Sequence, residues 1–210
     1  MNSVPGNSPV GNGIAPVRGA ARTDKYLDLK ALRLAVHGWW LGNPLVYKPD
    51  DADLGAYTRE LADAGAASGT LILGDTYGPN STSASHDVVR AVLILRPPIS
   101  QVSGALIGET AAHSVATVAQ ETFGCSCVVQ GQWDVVIRND ASLDDLCHIS
   151  VEVRDDAAFL RLRLALAPLW AVGQKNGTAA LLLARSDWRE VLLARVLHTL
   201  DIRLQGLLPA

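Results

Sequence analysis

The sequence lacks the features that identify several classes of protein. It has three cysteines among 210 residues, too few for a disulfide framework, and Cys125 and Cys127 are too close together for a Cys-x-x-Cys zinc clip. It has no run of about eighteen apolar residues, which a membrane span requires. Its first residues do not have the charged-then-apolar order of a secretory signal. These absences predict a cytoplasmic protein with no metal site and no membrane association.

Positive charge is also scarce. The 18 Lys and Arg residues are outnumbered by 21 Asp and Glu residues, which gives a formal net charge of -3. A surface that follows nucleic-acid phosphates needs a basic surplus, so nucleic acid is not an expected partner. Apolar residues make up 49% of the chain and charged residues 19%, which is typical of a globular protein.

The composition divides the chain into two parts. Residues 1–24 are rich in Gly, Pro, Asn and Ser and have no apolar period, which predicts a flexible tail. Residues 25–210 are then a single domain. The alternation of Leu32, Leu34 and Val36 with polar or small residues predicts its first strand.

The remaining patterns predict an alternation of strands and helices. A helix is expected in "DDADLGAYTRELADAGAASG", strands in "GTLILG" and "VVRAVLILRPP", and a helix from residue 104 to a C-cap at Gly124. Apolar residues of this second helix share one face, among them Ile107, Ala111, Val115 and Val118.

Three further strands are expected at 127–137, 146–153 and 159–167. In the last strand Leu160, Leu162 and Leu164 face one way and Arg161 and Arg163 the other, which is typical of a sheet with one covered side. A final amphipathic helix starts at Asp187, with Glu190 completing a capping box and Trp188 expected on its core face. The order predicts an α+β (mixed α/β) fold with a central mixed sheet flanked by helices.

Several of these segments resemble the catalytic domain shared by biotin protein ligases and lipoate protein ligases. "RELADAGAASGTLILGDT" is similar to the first helix and strand of the family, "VRAVLILRPP" to a strand ending in Leu-Arg-Pro, and "ALIGETAAHSVATVAQETFG" to its central helix. "QWDVV" stands where the family has Lys-Trp-Pro-Asn-Asp-Val. The resemblance implies a reaction in which ATP converts the carboxylate of biotin or lipoate to an acyl adenylate, which a lysine of the acceptor protein attacks.

The chain departs from this family where the chemistry needs positive charge. The arginine-rich loop after the family's first strand corresponds to "DTYGPNSTSASHD", which has no Arg or Lys. The family's lysine before Trp is Gln132, its second lysine is Asp145, and the glycine that follows is His148. The Pro-Asn after Trp is missing, so Trp133 is directly followed by Asp134. Because adenylation depends on cations around the phosphates, we expect that adenylation is lost.

The leading hypothesis is therefore a pseudoenzyme that binds or scaffolds, with no cofactor. The expected partner is a protein: a biotinyl or lipoyl domain, a subunit of an assembly, or a second copy paired through a sheet edge. Any retained ligand site is expected to use the following residues: Trp133, Gln132, Asp134, His148 and Tyr77. Trp133 is more often part of a core or its rim, and Asp134 a solvated carboxylate.

Two enzymatic alternatives remain open. A divergent biotin protein ligase, or a lipoyl or octanoyl transferase, would bind biotin, lipoate or ATP and use Cys147 as nucleophile, or Arg90 and Arg138 as phosphate ligands. Cys147 and His148 would not pair with each other, because neighbours on a strand point to opposite faces. An unrelated enzyme in the same cleft would use residues such as His86, Asp87 and Trp133.

Overall fold

The computed structural model describes residues 27–35, 44–74, 88–139 and 142–209. The predicted tail, Trp39 and Trp40, and the loop 75–87 lie outside these residues. The elements in chain order are α1 (Leu29–Ala35), β1 (Leu45–Tyr47), α2 (Leu54–Asp63), β2 (Leu71–Leu73), β3 (Val88–Leu95), a 3₁₀ turn (Ile99–Gln101), α3 (Gly104–Phe123), β4 (Ser126–Gln130), β5 (Asp134–Arg138), β6 (Leu143–Val153), β7 (Ala158–Ala165), α4 (Ala167–Gly173), α5 (Gly177–Leu183) and α6 (Trp188–Gln205).

The strands form one seven-stranded sheet in the order β1-β2-β3-β7-β6-β5-β4. Only β1 and β2 are parallel among these pairs, and each of the others is antiparallel. The predicted α+β class with a central mixed sheet is confirmed. None of the described helices is long and apolar enough to cross a membrane.

Strand β7 lies at the centre of the sheet and divides its two faces. Leu160, Leu162 and Leu164 point into the main core, while Arg161 and Arg163 point to the opposite face. This is the alternation expected of a strand with one face against a helical layer. The predicted orientation of the leucines and arginines is confirmed.

The long helix α3 covers the core face of the sheet together with the helices that follow β7. Ser103 begins α3 by accepting a hydrogen bond from the Leu106 N–H at 3.2 Å. Gly124 ends it in the left-handed conformation (φ 66°) that the predicted C-cap requires. The apolar stripe of α3 and Trp188 of α6 are buried in the core, as the sequence predicted.

The opposite face of the sheet is covered only in part, by α2. Ile72, Val92 and Phe159 form a second, smaller core with Ala62 of this helix. Arg96, just after β3, holds the end of α2 by donating hydrogen bonds to the carbonyls of Ala62 (2.6 Å) and Ala66 (3.1 Å). A guanidinium is favourable at a helix C-terminus, where carbonyls lack partners within the helix. No other described element covers the rest of this face, which we call the open face.

The strand predicted around 32–36 is wrong, because the described part of it belongs to helix α1. The Asp28 side chain accepts the Lys30 N–H at 2.8 Å and so caps the first turn. Leu32 is fully buried, whereas Leu34 is 68% exposed. A strand would have placed both leucines on one face. The spacing of Leu29 and Leu32, which the alternation obscured, suits a helix.

The single strand predicted at 127–137 is also wrong, because this segment is a hairpin of β4 and β5. Gly131 (φ 52°) and Trp133 (φ 71°) turn the chain in the left-handed conformation. Gly131 was the signal for the turn, although "VVQGQWDVV" is otherwise continuous in its strand propensity. Strand β1 and the short helices α4 and α5 were not predicted.

The predicted capping box at the start of α6 is wrong as well. The Asp187 carboxylate makes no cap hydrogen bond and instead accepts two hydrogen bonds from Arg185, both at 2.8 Å. The Glu190 Oε1 atom accepts the Asp28 N–H at 2.7 Å, which joins α6 to the start of α1. Glu190 is buried, and its Oε2 atom has no hydrogen-bond partner among the described residues.

We expect Glu190→Gln to stabilise the protein at neutral pH. Burial raises the pKa of the Glu190 carboxyl. The contribution of this carboxyl to the free energy of unfolding is therefore fully present below its unfolded-state pKa and is lost as the pH rises through its folded-state pKa. The neutral amide keeps the acceptor for Asp28 without a desolvated charge. A gain of about 1 kcal/mol would raise the melting temperature at pH 7.5 by about 2–4 °C.

Thermal unfolding from pH 7.5 down to pH 4.5 tests this expectation. The advantage of the variant should shrink as the pH falls, whereas the exposed Glu121→Gln control should change little at either pH. If the Glu190→Gln variant melts at a lower temperature than wild type at pH 7.5, the charge of the carboxylate is stabilising and the expectation is wrong.

Candidate functional site

The open part of the sheet contains a shallow cavity of about 200 Å³ next to the first residue of α2. Its floor comes from the three central strands β3, β7 and β6. The charged and polar lining residues are Arg90, His148, Ser150, Arg161 and Arg163, and the apolar ones are Leu54, Ala91, Val92 and Leu162. Three arginines therefore meet at one small concavity.

The sheet register places the charged side chains in a row. Arg90 of β3 is directly opposite Arg163 of β7, and Arg163 is directly opposite His148 of β6. The Cα atoms of directly opposite residues in antiparallel strands are about 4.5–5.5 Å apart. Like charges in such positions repel and destabilise the pairing, so the two arginines weaken the sheet at this point.

Arg161, the third arginine, is neutralised within the protein. Its guanidinium donates a hydrogen bond to the Glu152 carboxylate at 2.5 Å, and Arg59 of α2 approaches the same carboxylate at 3.6 Å. The hydrogen bond from Arg161 lowers the pKa of Glu152, which stays charged at neutral pH. In contrast, the guanidinium groups of Arg90 and Arg163 are exposed and have no hydrogen-bonded or ion-paired partner in the described part of the chain.

His148 and Asp134 connect this row to the next strand. The His148 Nδ1 atom is 2.5 Å from the Asp134 Oδ1 atom, beside the irregular register of β5 and β6 at Val135 and Val136. Both side chains are largely exposed, at 62% and 45%. Two of the predicted ligand residues are thus in contact, in a pairing that the sequence analysis did not anticipate.

Trp133 lies in the hairpin turn and packs against helix α3. A Cβ atom built on Gly108 would be 2.4 Å from the indole Cδ2 atom, so the ring lies directly on the glycine backbone. The indole is half-buried and adjoins the main core. A tryptophan with positive φ is strained, and this packing offsets the strain. Gln132, its neighbour, is exposed in the same turn.

Cys147 faces the helical layer, away from His148. It is buried between cross-strand neighbours Val135 and Leu164. Burial raises the pKa of its thiol to about 12, so the thiol is protonated at neutral pH. On the next hairpin the Sγ atoms of Cys125 and Cys127 are 3.7 Å apart.

Of the other predicted site residues, Tyr77, His86 and Asp87 lie outside the described residues. His113 is on the exposed side of α3, 3.8 Å from Glu109. Within the ranges that the structure describes, no three His, Cys, Asp or Glu side chains are grouped as metal ligands would be.

Arg161 and Arg163 were not predicted as members of the site. The alternation along their strand predicts that both lie on the face opposite the leucines, but their proximity to Arg90 depends on which strands are neighbours. The expectation that the cleft has lost its positive charge needs a corresponding correction. The charges come from the central strands β3 and β7, and Arg90 was foreseen only under the alternative of an active enzyme.

We expect Gly108→Ala to destabilise the protein, because the added methyl group would overlap the indole of Trp133. The cost of such overpacking is about 1–3 kcal/mol in the free energy of unfolding, measured by urea denaturation. Gly177→Ala is the matched control, since a Cβ atom at this helical position meets nothing within 4 Å. Equal stability of the two variants would contradict the packing of Trp133 on α3.

We expect Cys147 to resist alkylation in the folded protein. A pKa raised from 9.0 to about 12 leaves roughly a thousandfold less reactive thiolate at neutral pH, and burial excludes the reagent. Iodoacetamide treatment at pH 7.5 followed by peptide mass mapping should modify Cys147 only in denaturant. Rapid modification of the native protein would instead support a nucleophilic role.

Neither a family model nor a curated protein sequence matches the chain. Similar solved structures exist. A mutant of biotin protein ligase from Aquifex aeolicus, in complex with biotin, is 13% identical with a TM-score of 0.56, over 78% of this chain and 71% of that one. Another structure of biotin protein ligase from the same organism is 14% identical with a TM-score of 0.51, over 78% and 69% of the two chains. The fold of this chain is therefore that of the biotin protein ligases, as the resemblance of its sequence implied.

Proposed function

We propose that this chain is a binding domain with the ligase fold that does not form acyl adenylates. Its binding surface is the open part of the sheet, around Arg90, Arg163 and His148. The partner group is anionic and reaches the sheet from solvent. A biotinyl or lipoyl domain is the first protein partner to consider, since the family that the sequence resembles acts on an acceptor protein.

The observation that supports this proposal most is the distribution of charge on the open face. The positions that the resemblance assigns to two lysines hold Gln132 and Asp145, and both side chains are exposed. None of the described lysines lines the cavity. Removal of one electrostatic contact to a transition state typically costs about a hundredfold or more in rate. Replacing two lysines with an amide and a carboxylate therefore removes adenylation as a useful activity.

The size of the cavity supports the same proposal. Pockets for small molecules are typically about 300–1,000 Å³, because they surround most of the ligand. The cavity formed by the described residues has about 200 Å³ and is lined by arginine and histidine side chains. This space suits one small charged group and not an acyl chain together with a nucleotide.

The position of Cys147 favours a binding role over a transferase. A thiol nucleophile needs a nearby base and access to the substrate. Cys147 is buried on the core face, and the imidazole of His148 is on the other face.

Pyrophosphate exchange into ATP tests the loss of adenylation. We expect the purified full chain to give no exchange above the protein-free blank with biotin, lipoate or octanoate, because the phosphate-binding lysines are replaced. An active biotin protein ligase assayed in parallel provides the positive control. Exchange that depends on one of these acids would disprove the proposal.

A further inference from the structure

We infer that Arg90 and Arg163 form a site for a dianionic phosphate group. This inference rests on the proposed binding role of the open face and names the chemistry that the face recognises. The two guanidinium groups are directly opposite each other on neighbouring central strands, and both line the same concavity.

The first argument is the repulsion between the two arginines. Two exposed positive charges in directly opposite positions repel, and a neutral pair would stabilise the sheet better. The described part of the chain supplies no carboxylate to either guanidinium. An anionic ligand bound between the two guanidinium groups would offset this repulsion.

The second argument is the charge that the site leaves unbalanced. Arg161, the third arginine among the described lining residues, is paired with Glu152. Asp134, on the far side of His148, is bonded to the imidazole and not to an arginine. Among the described residues, Arg90 and Arg163 thus leave two positive charges, which a dianion neutralises and a single carboxylate does not.

The third argument is geometric. A guanidinium presents its N–H donors as a planar fork, which binds two oxygen atoms at once. Two such forks on adjacent strands can bind a group with at least three acceptor oxygens, as in phosphate. The cavity of about 200 Å³ has room for such a group, and Leu54 and Val92 form an apolar wall beside it.

Titration calorimetry of the full chain at constant ionic strength tests the inference. The probes are inorganic phosphate, adenosine monophosphate, adenosine and acetate, at pH 7.5. We expect saturable binding of phosphate, at least tenfold weaker binding of acetate, and none of adenosine. Tighter binding of the monophosphate than of free phosphate would identify a phosphate monoester as the ligand, and equal binding would identify free phosphate.

Matched substitutions locate the site. Arg163→Gln and Arg90→Gln should each weaken phosphate binding tenfold or more. Arg185→Gln, at an exposed arginine between α5 and α6 that does not line the cavity, should change it less than twofold. Equal losses in all three variants, equal binding of acetate, or no binding of phosphate would each overturn the inference.

Thermal unfolding shows whether a failed titration reflects a misfolded variant. Without phosphate, Arg163→Gln should melt at the same temperature as wild type or higher, because one repulsion is removed. Saturating phosphate should raise the melting temperature of wild type but not of this variant. Absence of phosphate binding together with absence of pyrophosphate exchange would reject this inference and leave the proposed function standing. Pyrophosphate exchange would reject the proposed function itself.

Discussion

The alternation of leucine and arginine along β7 is the constraint on which the rest of the structure depends. Because this strand is central, its leucines bind the sheet to the helical layer while Arg161 and Arg163 are carried to the other face. A change of one residue in register would exchange the two sets and bury the arginines. The burial of the leucines therefore also determines where the charges of the open face lie.

The ligase fold and a different use of its cleft are compatible on physical grounds. A fold depends on the core face, where α3 and the leucines of β7 pack as in any sheet covered by helices. Chemistry depends on the groups of the open face, which can change with little effect on the core. The positions that the resemblance assigns to two lysines hold Gln132 and Asp145, whereas Arg90 and Arg163 lie on the central strands. Under the proposed function, the positive charge of the binding surface comes from the floor of the cavity.

The sequence was informative where one signal was strong. The apolar stripe of α3 with its glycine cap, and the alternation in β7, each predicted the type of element, the face that is buried and the residues that lie in the core. The predictions failed at short elements and at the start of the last helix. Helix α1 and the turn at Gly131 depend on single residues. The Glu190 carboxylate accepts a hydrogen bond from the N–H of Asp28, which is distant in sequence, instead of capping its own helix. The site was only partly predictable, since the meeting of Arg90 with Arg163 depends on strand order. The resemblance pointed to the correct fold but not to these arginines.

A crystal structure of the full chain grown with both biotin and ATP tests the central claim most directly. The claim is that the open face binds an anionic group without supporting adenylation. We predict a phosphate group between the guanidinium groups of Arg90 and Arg163, and no bond between biotin and a nucleotide. Electron density for biotinyl adenylate on this face, with its phosphate held by other residues, would contradict the account.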